Sequence, residues 1–195
     1  MSVYLAQIQK CYGFLRRAWS IARVESFKAD SKNELIYLQL LRAAESVGYG
    51  LLACNELEDK SVPKDASPRN RLIKLFDLIA SVNPKFFPIA CEASLPSDEW
   101  LSKDQSSIRS ALTRQDLLDL ATKAERLLFV QIPIGSNPFR LRRLTPEEWL
   151  MRFGKLLGSH ILNMPRGTRY LVTTNPNGSV SAQALLVSKD FDKFS

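Results

Sequence analysis

The chain has 195 residues, 45% of them hydrophobic and 24% charged, with a formal net charge of +7 and one histidine. This is the composition of a folded globular protein, one domain or two small ones with a sizeable core, and it excludes a disordered chain. A lone histidine, His160, excludes multi-histidine metal centres and two-histidine acid–base pairs within one subunit. No apolar run reaches the roughly 20 residues of a membrane span, and the first ten residues lack the pattern of a signal peptide, so no membrane association and a cytoplasmic address are expected.

In chain order, Tyr4, Ile8, Cys11, Tyr12, Leu15 and Trp19 recur at helical spacing, predicting an amphipathic helix from about Val3 to Ala22. Lys10, Arg16, Arg17 and Arg23 lie mostly off that stripe and read as a solvated basic face; residues 1–28 hold five bases against Glu25. Ser31 and Glu34 have the spacing of a capping box, predicting a second helix from about Lys32 to Leu57. Gly48 and Gly50 in its middle each cost about 1 kcal/mol relative to Ala, which points to close packing of other elements there. Ser67-Pro68 is an N-cap followed by proline at the first helical position, and a helix of about fifteen residues follows, ending at Asn83-Pro84. Residues 85–96 are too interrupted by proline for a regular element and read as a loop pinned by Phe86 and Phe87. Short helical turns are expected near Ser97–Trp100 and Ser107–Leu112, and Thr113 caps a helix running to about Arg126.

From Leu127 the periodicity changes. Leu127–Pro133 reads as a strand, Gly135–Pro138 as a turn and Phe139–Leu144 as a returning strand whose Arg140 and Arg142 face outward. Thr145-Pro146-Glu147-Glu148 predicts a capped helix to about Gly158. A Pro165–Gly167 turn then precedes extended runs at 170–174 and 180–187, joined by Asn177-Gly178, a strong hairpin signal. The expected class is α+β, a helical N-terminal half (1–112) packed on a C-terminal part (113–195) with two β-hairpins and at least two helices.

Charge is unevenly distributed. Residues 126–169 hold eight bases (Arg126, Arg140, Arg142, Arg143, Arg152, Lys155, Arg166 and Arg169) against Glu147 and Glu148, whereas residues 29–125 hold 12 bases against 15 acids. Seven of those eight bases are arginine, whose planar fork suits phosphate. Arg140, Arg142, Arg143, Arg152, Lys155, Arg166 and Arg169 are therefore the candidate phosphate contacts of a non-catalytic nucleic-acid-binding protein, for DNA or RNA. The alternative is an adaptor whose arginines meet an acidic protein partner, or acids of the chain's own helical half. The helix from Arg114 precedes a basic hairpin as in a winged helix, but Asp116, Asp119 and Glu125 make it a poor reading helix. A third reading is a nuclease or toxin centred on His160 with Arg152, although the seven residues between them exceed the Arg-to-His spacing of helical RNA-cleaving toxins. Cys11, Cys54 and Cys91 are odd in number and far apart, which suggests buried thiols rather than disulfides or zinc ligands; no metal or cofactor is expected.

Overall fold

A computed structural model describes residues 1–24, 29–55, 67–91, 111–129, 144–165, 167–175 and 178–185. Its elements are helices α1 (Ser2–Arg23), α2 (Ala29–Cys54) and α3 (Pro68–Val82), strand β1 (Ile89–Ala90), helices α4 (Arg114–Phe129) and α5 (Pro146–Gly158), and strands β2 (Ser159–Asn163), β3 (Arg169–Thr174) and β4 (Val180–Leu185). The class is α+β, with the helices mostly N-terminal and an antiparallel sheet in the order β1-β2-β3-β4.

Local chemistry sets the helix ends. The Ser67 hydroxyl accepts from Asn70 N at the start of α3, and Pro68 fills the first position, where a missing N–H costs nothing. Thr113 and Asp116 cap α4 reciprocally: Asp116 N donates to the Thr113 hydroxyl, and the Asp116 carboxylate accepts from Thr113 N. At α5, Glu148 N donates to the Thr145 hydroxyl and Thr145 N donates to the Glu148 carboxylate at 2.6 Å, completing the expected box. In α2 the helix is already under way at Ala29, so Ser31 sits inside its first turn rather than ahead of it, and the helix ends at Cys54. Ala29 extends the start at no propensity cost, which lets the helix begin upstream of the capping pattern.

Antiparallel pairing of α1 and α2 forms the centre of the helical layer, with α4 against α2 and α3. Gly48 and Gly50 are where neighbours come close on two sides. A Cβ on Gly48 would stand 3.2 Å from Leu72 Cδ2 of α3, and one on Gly50 would stand 3.1 Å from Tyr4 Cδ2 and 3.2 Å from Gln7 Cβ of α1. One hydrophobic cluster runs through the molecule, from Tyr4 and Leu15 through Leu51, Phe76 and Leu120 to Phe153, Leu162 and Val172.

The sheet has one face on the helices. His160 pairs in register with Val172 and Val172 with Ala182, placing them on the inner face with Leu162 and Thr174, whose hydroxyl donates to the Leu157 carbonyl of α5. Ile161, Leu171 and Gln183 alternate to the outer face, as does Ile89, which is 57% exposed. Both hairpin loops are three residues long, closed by Met164 N donating to the Thr168 carbonyl and by Asn175 N donating to the Ser179 carbonyl. Their last residues, Gly167 and Gly178, have φ of 80° and 81°, a conformation that glycine adopts without a steric penalty.

Three expectations need correction. Leu127–Phe129 are helical rather than extended, because Leu128 continues the core-facing row Leu117, Ala121, Ala124 at helical spacing and packs on the core. The proline-rich segment contributes a strand after all: Ile89-Ala90 pairs with Ile161 and His160, and Cys91 N donates to the Ser159 carbonyl. Prolines interrupt only the flanks, leaving these two residues free to add an edge. Ser159–Asn163, with no expected element, forms β2, entered directly from α5. The Phe86 and Phe87 pin is present: both rings meet Phe76, at 5.8 and 6.2 Å between centroids. The expected turn at 97–100, most of those at 107–112 and of the hairpin from 127 to 144, and residues 186 and 187 lie outside the described residues, while Ala111 and Leu112 are not helical.

Beyond Ile89 the edge of β2 is completed by side chains. Asn83, the C-cap of α3, donates through Nδ2 to the Asn163 carbonyl at 2.8 Å and to Asn55 Oδ1 at 2.9 Å, while Asn55 Nδ2 donates to the Leu51 carbonyl at the end of α2. Among the described residues no helix is long and apolar enough to cross a membrane.

Gly50→Ala tests the close approach of α1 and α2. The helix gains about 1 kcal/mol of propensity, but the new methyl meets the ring of a buried Tyr4, and overpacking of this kind costs about 1–3 kcal/mol. Thermal melting should show a net loss of a few degrees; a variant more stable than the parent would mean that the interface yields easily.

Candidate functional site

The expected site residues divide by their placement. Arg140, Arg142, Arg143 and Arg166 lie outside the described residues. Arg152 is on α5 and turns inward: its Nη1 donates to Asp116 Oδ1 at 3.2 Å, with side chains only 12% and 10% exposed. Asp116 is the carboxylate that also caps α4 through Thr113. This is a pairing with one of the acids of residues 29–125, as the charge pattern allowed, and it makes Arg152 a clamp between α5 and the start of α4. Lys155 is half-buried on the same helix. Arg169 opens β3 with the parity of Leu171, so it stands exposed on the outer face, in register with Asn163 and Leu185. The helix from Arg114 is packed rather than presented: Leu117, Leu120, Ala121 and Ala124 are fully buried.

Other acids of the helical half are likewise engaged. Glu45, buried on α2, accepts from Arg71 of α3 at 2.9 Å and from Arg42 at 3.3 Å. Asp77 meets Arg114 at 2.6 Å, and that guanidinium lies over the rings of Phe76 and Phe86. Exposed bases form the candidate surface. On α1, Lys10, Arg16, Arg17 and Arg23 are all exposed, and the helix contains no acid. Arg17 is held 4.6 Å above the Phe14 ring and donates to Gln39 of α2, while Arg23 lies 4.8 Å above the Trp19 ring.

His160 occupies the opposite kind of environment. It is 0% exposed, in the middle of the helix–sheet interface, with Nε2 2.7 Å from the Tyr4 hydroxyl of α1. Burial pushes its pKa down to about 4, with the Leu156 carbonyl opposing that shift in part. Tyr4 is shifted the other way: burial raises its pKa well above the ordinary phenol value, and the neighbouring Cys54 and Cys11 add to the effect. Both shifts favour the neutral forms, so the hydrogen bond joins a phenol and an uncharged imidazole. No substrate reaches this ring without opening the core, and Arg152 is directed at Asp116. Nothing in the sequence pairs two residues 156 positions apart, and Tyr4 reads there only as a core position.

Of the three thiols, Cys11 and Cys54 are buried, which raises both pKa values, that of Cys54 to about 11. Cys91 is half-buried, its Sγ 3.3 Å from the Ser159 hydroxyl. Among the described residues no three His, Cys, Asp or Glu side chains are grouped to hold a metal ion. An open cavity of about 370 Å³ lies between Cys54, Asn55 and Val82 on one side and Met164, Pro165, Thr168 and Tyr170 on the other.

Two measurements follow from these placements. Arg152→Ala leaves a buried carboxylate without its cation and should cost about 3 kcal/mol of stability by chemical denaturation; an unchanged midpoint would mean that the ion pair does not form. His160 protonates near pH 6.5 in an unfolded chain but only near pH 4 in the fold. Between those values the unfolded state binds the extra proton, so stability should fall by about 3 kcal/mol as the pH drops from 6.5 to 4, with no contribution above that window. His160→Gln should remove that part of the pH dependence.

No protein-family model, curated protein or solved structure matches this chain, so its site is read from its own chemistry.

Proposed function

We propose that this is a non-catalytic nucleic-acid-binding protein that contacts phosphates through arginines. The carrying observation is the separation of charge: residues 126–169 carry an excess of six bases and residues 1–28 an excess of four, while the intervening stretch has an excess of three acids. In that stretch Glu45, Asp77 and Asp116 are bound by arginines of the fold. The exposed bases of α1 and Arg169 add to a positive surface potential, which attracts a polyanion and releases its counterions on binding. Within the expected set, Arg140, Arg142, Arg143, Lys155, Arg166 and Arg169 are the proposed phosphate contacts. Arg152 is assigned to Asp116 instead. The burial of His160 counts against a nuclease centred on it.

A gel-shift titration at increasing salt tests this. Binding should weaken steeply as salt rises, and replacing Arg140, Arg142 and Arg143 together with Ala should weaken it at every sequence tried and flatten the salt dependence by about 2–3 in logarithmic slope. Purification of the protein with a stoichiometric acidic protein, free of nucleic acid and without affinity for it, would establish the adaptor reading in its place.

A further inference from the structure

Four bases lie along α1 between Lys10 and Arg23, about 20 Å of helix. At 3.6 residues per turn they fall on two flanks of the exposed face. Lys10, Phe14 and Arg17 lie on the side of α2, where Arg17 Nε donates to Gln39 Oε1 at 3.1 Å. Arg16, Trp19 and Arg23 lie on the side of the β3–β4 turn, where Arg16 Nη2 is 3.2 Å from the position a Cβ on Gly178 would take. Between the flanks the helix presents Ala6, Gly13 and Ser20; a Cβ on Gly13 would meet only Arg17, at 3.9 Å.

Fixed geometry distinguishes this face from an ordinary solvated one. Arg17 and Arg23 lie against half-buried aromatic rings rather than trailing into water, and such stacking reduces the side-chain entropy lost when an anion binds. Nucleobases stack on guanidinium groups, and an arginine held beside a ring is a ready partner for such stacking. Duplexes hide their base faces, and α1 is embedded beside α2, α5 and β4, so it does not project as a helix must to enter a groove about 12 Å wide.

We propose that the exposed face of α1 binds single-stranded nucleic acid, its phosphates meeting Lys10, Arg16, Arg17 and Arg23 and its bases stacking on the guanidinium planes of Arg17 and Arg23. The inference rests on the nucleic-acid reading above and adds both the strandedness and a second set of contacts besides those proposed within residues 140–169. The backbone runs along the helix, and the two flanks receive phosphates from either side.

Fluorescence anisotropy with a labelled oligothymidine and a duplex of equal length tests it on the full chain. The parent should bind the single strand more tightly than the duplex. Replacing Lys10, Arg17 and Arg23 together with Gln should weaken single-strand binding at least tenfold and reduce the logarithmic salt slope by about 2. The variant Arg17→Lys with Arg23→Lys keeps the charge but loses the planes; it should keep the salt slope and lose affinity several-fold. Circular dichroism and melting temperature check that each variant is folded, and the lysine pair keeps the test valid should the triple variant unfold. Preference for duplex, or capture by phosphatidylserine vesicles without binding of the oligonucleotide, overturns the proposal. If both α1 variants bind like the parent while the Ala variant at 140, 142 and 143 does not, the α1 surface is wrong and nucleic-acid binding stands. If the parent binds neither strand form, both readings fall.

Discussion

The hydrogen bond between Tyr4 and His160 ties the first helix to the sheet, and much of the architecture is arranged so that it can form. Two polar groups in a dry interface must satisfy each other, because leaving either unpaired costs about 1–3 kcal/mol. For the phenol to reach the ring, α1 must lie close against α2, which Gly50 permits by presenting no side chain to Tyr4 and Gln7. Once Tyr4 is in place, Ile8, Cys11, Leu15 and Ala18 follow it into the core at helical spacing. The orientation of the basic side of α1 is thereby settled from within: Lys10, Arg16, Arg17 and Arg23 point outward because the opposite side is committed.

Helices were the most legible part of the sequence, and the reason is physical. Each of α1, α3, α4 and α5 has a wide apolar stripe, and α3, α4 and α5 also carry a hydroxyl cap one turn ahead of the residue it binds, both of which are local signals. The last hairpin was legible for the same reason, through Asn177-Gly178. Strands β1 and β2 were not. Two residues between prolines have no period, and Ser159–Asn163 follows a helix without a break, so their extended form depends on partners that are distant in the chain. Leu127–Phe129 show the reverse case: their composition favours a strand, but Leu128 completes a helical row whose value is realised only against the core.

Charge was legible in quantity and only partly in role. A count of arginines separates a basic surface from a neutral one, but it does not distinguish an arginine that meets solvent from one that meets a buried carboxylate. Arg152 and Asp116 are far apart in sequence, each with a local explanation of its own, and their pairing emerges only when α5 lies across the start of α4. Arg17 and Phe14, by contrast, are three residues apart on one helix, and their contact follows from helical geometry once the exposed face is known.

The asparagines at the ends of α2 and α3 have a further consequence for how the protein behaves in a crowded solution. A sheet whose second strand is longer than its edge neighbour exposes unpaired backbone groups, and such a margin is a template for the addition of a foreign strand. Here β1 covers only part of β2, and Asn83 takes the Asn163 carbonyl that β1 does not reach. A side chain in that place satisfies the carbonyl without continuing the ladder, so the sheet ends there, and self-association by strand exchange loses one of its anchoring points.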